Sequence, residues 1–310
     1  MKQKIFNKGL IIGPSGIGRV HLREFIRNGI KEIGFIGKSK VKKRLFQINA
    51  ENLKSIKILN LKDFKNIKKF KPDITSICSP YTEHLNHIIK CKKHSKYIVV
   101  EKPFIWPKNK LRKGKIYKIS SNILTKSNNK IAINLPMVSI VKQLSYKKEI
   151  PKNIKSFKFS YFTNGPHTYE NIAVDLLPHA LSFFLTATKK MKFHYKILAV
   201  KRLKSYWSCK IEINNTMCYF NFKQNRLSKE SKLFFSLNNN HFKRLQKSIQ
   251  NEYLTYLIKN GKKKFFLENP MKDYLYYLFK NFKNTNKIEI NNQLTLNITK
   301  ITEELLNFKC

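Results

Sequence analysis

The chain has 310 residues and carries 63 Lys and Arg against 18 Asp and Glu, a formal charge of +45. That length suits two domains better than one, and no apolar run reaches the roughly 18 residues of a membrane span. The excess is mostly lysine spread over the whole length, as an AT-rich coding bias would give, so runs such as Lys42-Lys43-Arg44 and Lys262-Lys263-Lys264 read as solvated faces and no specific nucleic-acid or membrane partner is expected. Five cysteines without ligand spacing suggest neither a zinc site nor a disulfide framework, and no metal is expected.

In chain order, Leu10-Ile11-Ile12 reads as a buried strand that runs into a glycine-rich turn. The run passes directly into glycines, unlike a secretion leader, and the expectation is a cytoplasmic protein. Ile17 to Ile26 has helical spacing. Between strand and helix, Gly13, Gly16 and Gly18 allow a tight turn and close approach of a phosphate to the backbone, with Ser15 where a second glycine is usual. This is a dinucleotide-binding pattern in which the amides from Ser15 to Gly18, Ile17 among them, face a pyrophosphate.

Alternation continues with strand Ile33 to Ile36, helix Val41 to Ala50, strand Ile56 to Leu59 and helix Leu61 to Phe70. Strand Ile74 to Cys78, turn Ser79-Pro80, helix Thr82 to Lys92 and strand Tyr97 to Val100 follow. A polar helical segment from Lys108 to Leu124 leads to strand Ile131 to Leu135. Such alternation predicts a doubly wound parallel sheet, with ligand at the carboxyl ends of the strands. At the end of the second strand, where an acid usually holds the ribose hydroxyls, stand Gly37-Lys38-Ser39-Lys40. A lysine and a hydroxyl there suit a 2′-phosphate, so NADP(H) is favoured, with NAD(H) as the alternative.

Beyond residue 135 the pattern changes. Strand Ile154 to Thr163, a helix through Phe184 and strands Phe193 to Val200, Tyr206 to Ile213, Thr216 to Phe222 and Leu233 to Leu237 read as an α+β domain with a mainly antiparallel open sheet. The intervening lysine-rich segments read as loops. Residues 269 to 282 and 294 to 308 read as two closing helices. The expected organisation is therefore α/β: a Rossmann dinucleotide-binding domain over 1–135 and an α+β domain for substrate and oligomerisation over 136–310.

Three stretches together carry a family resemblance: the turn G-P-S-G-I-G-R-V-H, the segment Asp73 to His84, and Glu101-Lys102-Pro103 after an apolar strand. With Asp175-Leu176-Leu177-Pro178-His179 as a D-x-x-x-H motif downstream, the chain resembles the Gfo/Idh/MocA oxidoreductases, the relatives of glucose-fructose oxidoreductase and inositol dehydrogenase. The resemblance implies hydride transfer between a nicotinamide cofactor and a carbon bearing a hydroxyl or carbonyl on a sugar, cyclitol or sugar nucleotide. It implies catalytic roles for Lys102, Asp175 and His179. His179 is suited to accept the hydroxyl proton near neutral pH. Asp175, one helical turn earlier, orients the imidazole or holds a substrate hydroxyl, and Lys102 stabilises developing negative charge or relays the proton. Glu101 helps hold Lys102. Ser79, Pro80, His84 and Glu101 fall on the cofactor side, Asn134 falls at a cofactor-side or substrate-side position, and the bond before Pro103 is expected to be cis. The outer face of the second sheet is expected to make a homodimer or homotetramer. The competing reading is a non-catalytic dinucleotide-binding sensor or assembly subunit on the same fold.

Overall fold

The computed structural model describes residues 6–37, 56–107, 114–127, 130–190, 192–228, 230–249 and 252–309. The expected helix from Val41 to Ala50 and the loop residues Lys38 and Ser39 lie outside them. The chain forms two compact units, residues 1–134 with 274–295, and residues 135–273 with 296–310.

The first unit is built on six strands: β1 (Lys8–Ile12), β2 (Glu32–Ile36), β3 (Lys57–Asn60), β4 (Ile74–Ile77), β5 (Tyr97–Glu101) and β6 (Lys130–Asn134). Every neighbouring pair is parallel, in the order β3-β2-β1-β4-β5-β6. The chain leaves β1 toward one edge, then returns to add β4 on its other side. That reversal between β1 and β4 is the switch point at which such sheets bind ligand. The central strands are apolar without alternation because both faces are covered: Leu10, Ile11, Ile98, Val99 and Val100 are all fully buried.

Helices α1 (Ile17–Arg27), α2 (Ile67–Phe70), α3 (His84–Cys91) and α4 (Lys115–Lys126) connect the strands. The helix expected over Leu61 to Phe70 is shorter than its periodicity suggests. Asn60 Oδ1 accepts from the Lys62 amide at 2.9 Å and Asp63 Oδ1 from the Lys65 amide at 2.7 Å, so two side-chain turns use the first residues and a 3-10 turn, Phe64–Asn66, precedes α2.

Residues 274–295 complete this unit. Phe279 lies 5.5 Å from Phe25, ring to ring, and Phe282 lies 5.4 Å from Tyr97. Asn291 hydrogen-bonds both backbone groups of Ile133, accepting from its N–H at 2.8 Å and donating to its carbonyl at 2.9 Å. Edge strand β6 thus has a polar side chain in place of a further strand.

The second unit begins with α5 (Met137–Tyr146), which the sequence reading does not anticipate, and β7 (Ser156–Thr163). The long helix α6 (Glu170–Thr188) follows, then β8 (Tyr195–Leu203), β9 (Tyr206–Ile213), β10 (Thr216–Gln224) and β11 (Lys232–Leu237). Three further strands, β12 (Asn240–Ile249), β13 (Glu252–Lys259) and β14 (Lys263–Leu267), lie beyond the last strand that the sequence pattern predicts. The sheet order is β14-β13-β12-β11-β7-β10-β9-β8, antiparallel except between β7 and β10. Asn214 and Asn215, with φ of 48° and 63°, turn the β9-β10 hairpin in the geometry that asparagine tolerates. One sheet face packs on α6 through aromatic rings: Phe157 with Phe183 at 5.5 Å, and Phe183 with Phe235 at 4.7 Å. The last helices are α7 (Pro270–Asn281) and α8 (Thr285–Asn307).

Candidate active site

The glycine turn is shaped by backbone contact. Gly13 has φ +78°, and a Cβ placed on it would stand 2.8 Å from the Ser79 amide nitrogen, so the loops after β1 and β4 touch directly. A Cβ on Gly18 would overlap the Gly13 carbonyl, which is why α1 can start so close to β1. At Gly16, by contrast, an added Cβ meets nothing within 4 Å. Ser15 and Gly16 are exposed, and the first turn of α1 holds no acidic residue. The result is an open cradle at a positive helix end, with Ile17 at its rim, which fits a pyrophosphate.

Ser79 and Pro80 follow β4, and His84 joins their loop to the next one. Its Nε2 lies 2.9 Å from the Ser79 carbonyl, and its Nδ1 lies 3.0 Å from the Pro103 carbonyl and 3.1 Å from that of Phe104. Burial lowers the pKa of this ring against the pull of the three carbonyls. The ring thus spans the loops that follow β4 and β5 and sets their spacing.

Under this edge lies a charged network that the sequence reading missed in part. His21 Nε2 donates to Glu101 Oε1 at 2.6 Å, and Asn134 donates to the same oxygen at 2.6 Å. On the other side of the ring, His21 Nδ1 meets Ser76 Oγ at 2.5 Å. His21, Ser76 and Asn134 are fully buried and Glu101 is 5 % exposed. Burial opposes the imidazolium, but the Cys78 sulfur and the Glu101 carboxylate outweigh it and raise His21 from 6.5 to about 10. Burial likewise opposes the Glu101 carboxylate, and the bond from His21, with Asn134 and Lys102 in support, holds its pKa below the ordinary value. Histidine and glutamate thus form a buried ion pair. A signal for His21 exists in the sequence: it shares the buried face of α1 with Gly18, Leu22 and Phe25, so its ring requires a buried partner.

Next to that pair, Lys102 is half-buried and the Lys102–Pro103 bond is cis, as the resemblance implies. The first unit therefore assembles Gly13, Gly16, Gly18, Ser79, Glu101 and Lys102 around the ends of β1, β4 and β5.

In the second unit, Asp175 and His179 are half-buried positions one turn apart on the mostly buried helix α6. Asp175 Oδ2 accepts from Gln224 Nε2 at 2.7 Å, and Gln224 Oε1 accepts from the His167 amide at 2.9 Å. Gly165 packs so tightly on Gln224 that a Cβ there would overlap it. Gln224, unmarked in the sequence reading, therefore ties Asp175 to the loop that follows β7. The His179 ring stands edge-on to Tyr161, centroids 5.4 Å apart.

Among the described residues, no group of three His, Cys, Asp or Glu side chains is placed to hold a metal ion, and no helix is long and apolar enough to cross a membrane.

Comparison with known proteins bears on the first unit most directly. Residues 8–114 match the model of an oxidoreductase family with an NAD-binding Rossmann fold. No protein of curated function matches the chain by sequence. Among solved structures, a variant of the 3-ketoreductase KijD10 from Actinomadura kijaniata, in complex with TDP-benzene and NADP, superposes with a TM-score of 0.67 at 8 % identity, covering 97 % of this chain and 96 % of that one. The dehydrogenase MviM from Clostridium difficile gives 0.65 at 14 % identity over 97 % and 98 % of the two chains. The WlbA (WbpB) dehydrogenase from Thermus thermophilus, in complex with NAD and UDP-GlcNAcA, gives 0.60 at 11 % identity over 96 % and 94 %. At such identities the likeness is one of fold.

Proposed function

We propose, from the match of residues 8–114 to the model of the oxidoreductase family with an NAD-binding Rossmann fold, that the chain is a Gfo/Idh/MocA oxidoreductase and transfers a hydride between a nicotinamide dinucleotide and a hydroxyl or carbonyl carbon of a polyhydroxylated small molecule. A sugar, cyclitol or sugar nucleotide is the substrate class. The observation that carries the reading is the open glycine cradle at the switch point, in backbone contact with the Ser79 loop, to which His84 ties the loop that bears Lys102.

The residues present fit the dinucleotide. The turn Gly13 to Gly18, with Ser15 and Ile17, holds its pyrophosphate, and Ser79 and Pro80 border it. When bound, the dinucleotide supplies or accepts the hydride. Lys38 and Ser39 favour the 2′-phosphate of NADP(H). The solved structures of the same fold hold NADP in one case and NAD in another, so the scaffold accommodates both.

The protein's own groups handle the proton and the charge. His179 takes the proton from the substrate hydroxyl in oxidation and returns it in reduction. Asp175, fixed by Gln224, holds a substrate hydroxyl or the imidazole. Lys102 stabilises negative charge on the reacting oxygen. Glu101 and His21 fix the strand end from which Lys102 projects. We further propose a cytoplasmic homodimer or homotetramer.

The test is turnover with NADPH and NADH against a panel of sugars, cyclitols and sugar nucleotides. His179→Ala is expected to lower the rate on any accepted substrate by about 10²–10⁴-fold with dinucleotide affinity unchanged. A variant as fast as the parent would remove His179 from the reaction. Dinucleotide binding with no turnover on any member of the panel would favour the sensor reading.

A further inference from the structure

Arginine is scarce in this chain, eight residues against 55 lysines. Most cationic needs are met here by lysine, so a half-buried arginine marks a place where the planar fork of the guanidinium matters. Arg202 shows such use: it donates to the carbonyls of Leu305 and Phe308 at 3.1 and 2.8 Å.

Arg244 is different. It lies on β12 in a cross-strand row with Leu233 of β11 and Leu257 of β13, and Leu233 stands opposite Tyr161 of β7. Leu233 and Leu257 are fully buried, so the row belongs to the sheet face that α6 covers. The Arg244 guanidinium carbon sits 5.2 Å from the Tyr161 ring centre, and its Nη2 donates to the Tyr161 hydroxyl at 3.3 Å. Among the described residues, no carboxylate pairs with it. The Tyr161 ring thus neighbours both the guanidinium and the imidazole of His179.

We infer that Arg244 receives an anionic group of the substrate, a carboxylate or a phosphate, and so restricts the enzyme to acidic sugars or sugar phosphates. The inference rests on the reading of His179 as the residue at the reacting carbon. A half-buried guanidinium with several donors still unused offers a planar anion two parallel bonds, whereas a neutral sugar leaves those donors without a charged acceptor. Tyr161 holds the fork by a cation–π contact and by its hydroxyl, so little ordering is needed when the ligand arrives.

Because the whole protein is strongly cationic, the experiment must separate a site from general attraction. Full-length protein with saturating NADPH is titrated calorimetrically, in moderate salt, with glucose, glucuronate and glucose 1-phosphate. At least one anionic sugar is expected to bind about tenfold or more tightly than glucose, and the preferred one identifies carboxylate or phosphate as the group read. Arg244→Gln is expected to remove that preference and leave glucose binding unchanged. Lys243→Gln, an equal charge loss from an exposed residue adjacent in sequence, is expected to keep it. Arg244→Lys retains part of the preference, as a point charge in place of a fork. Equal binding of all three sugars, or equal losses in the Arg244 and Lys243 variants, would overturn the inference. Turnover on the panel above tells the two failures apart: if a neutral sugar or cyclitol is turned over, only the role of Arg244 falls, and if NADPH binds with no turnover, or does not bind, the proposed function falls as well.

Discussion

Lys102→Met is expected to lower turnover by about 10²–10³-fold while dinucleotide affinity stays within about twofold of the parent. The methionine keeps the length and apolar stem of lysine, so the loop that follows β5 keeps its packing and loses only the ammonium. That loop is otherwise fixed: Glu101 is tied to His21 and Asn134, the Lys102–Pro103 bond is cis, and the carbonyls of Pro103 and Phe104 face His84. A charge that stabilises an oxyanion acts when that anion forms, so its removal appears in kcat more than in binding of substrate or cofactor. Steady-state rates and a fluorescence titration on the same preparation make the comparison. A variant with parental kcat would place Lys102 outside the chemistry.

The second large effect falls on stability. His21→Asn is expected to destabilise the protein by about 3–5 kcal/mol, because it leaves the Glu101 carboxylate buried with its main partner gone. Denaturant unfolding monitored by circular dichroism measures it. Combining His21→Asn with Glu101→Gln should recover part of the loss, since the remaining amide carries no charge. A cavity alone would make the double variant no better than the single one.

The same pair sets a pH dependence of known sign. His21 has its pKa raised on folding, so its contribution is fully present below 6.5 and is lost as pH rises through about 10. Glu101 has its pKa lowered, so its contribution is present above its ordinary value of 4.5 and is lost as pH falls through the lower folded value. Replacing His21 should therefore flatten the alkaline limb of the stability profile. An unchanged alkaline limb would show that His21 does not carry the proton.

The parallel sheet was legible in the sequence because its strands are buried on both faces and read as plain apolar runs, as in Leu10 to Ile12 and Tyr97 to Val100. The glycine turn was legible because backbone contact leaves no room for other residues at Gly13 and Gly18. Strands β12 to β14 were not legible, since exposed lysines such as Lys243, Lys247, Lys263 and Lys264 alternate with or adjoin few apolar residues and resemble a solvated loop. The overlong helix before Phe70 came from periodicity that ignored Asn60 and Asp63, whose side chains hold the preceding amides in turns. In the candidate site, Glu101 and Asn134 were marked, but their link to His21 spans 80 and 113 residues of chain and follows only from the sheet order. Gln224 and Arg244 carry no motif. Their significance lies in which strand faces α6, and that depends on register.

The central claim is that this chain binds a nicotinamide dinucleotide for catalysis. A side-by-side fluorescence titration of the purified protein with NADPH and NADH tests it most directly, in enough salt to screen general attraction between phosphates and a chain of charge +45. Saturable binding is predicted, tighter for NADPH. Absence of saturable binding by either dinucleotide, in protein shown by circular dichroism to be folded, would contradict the account.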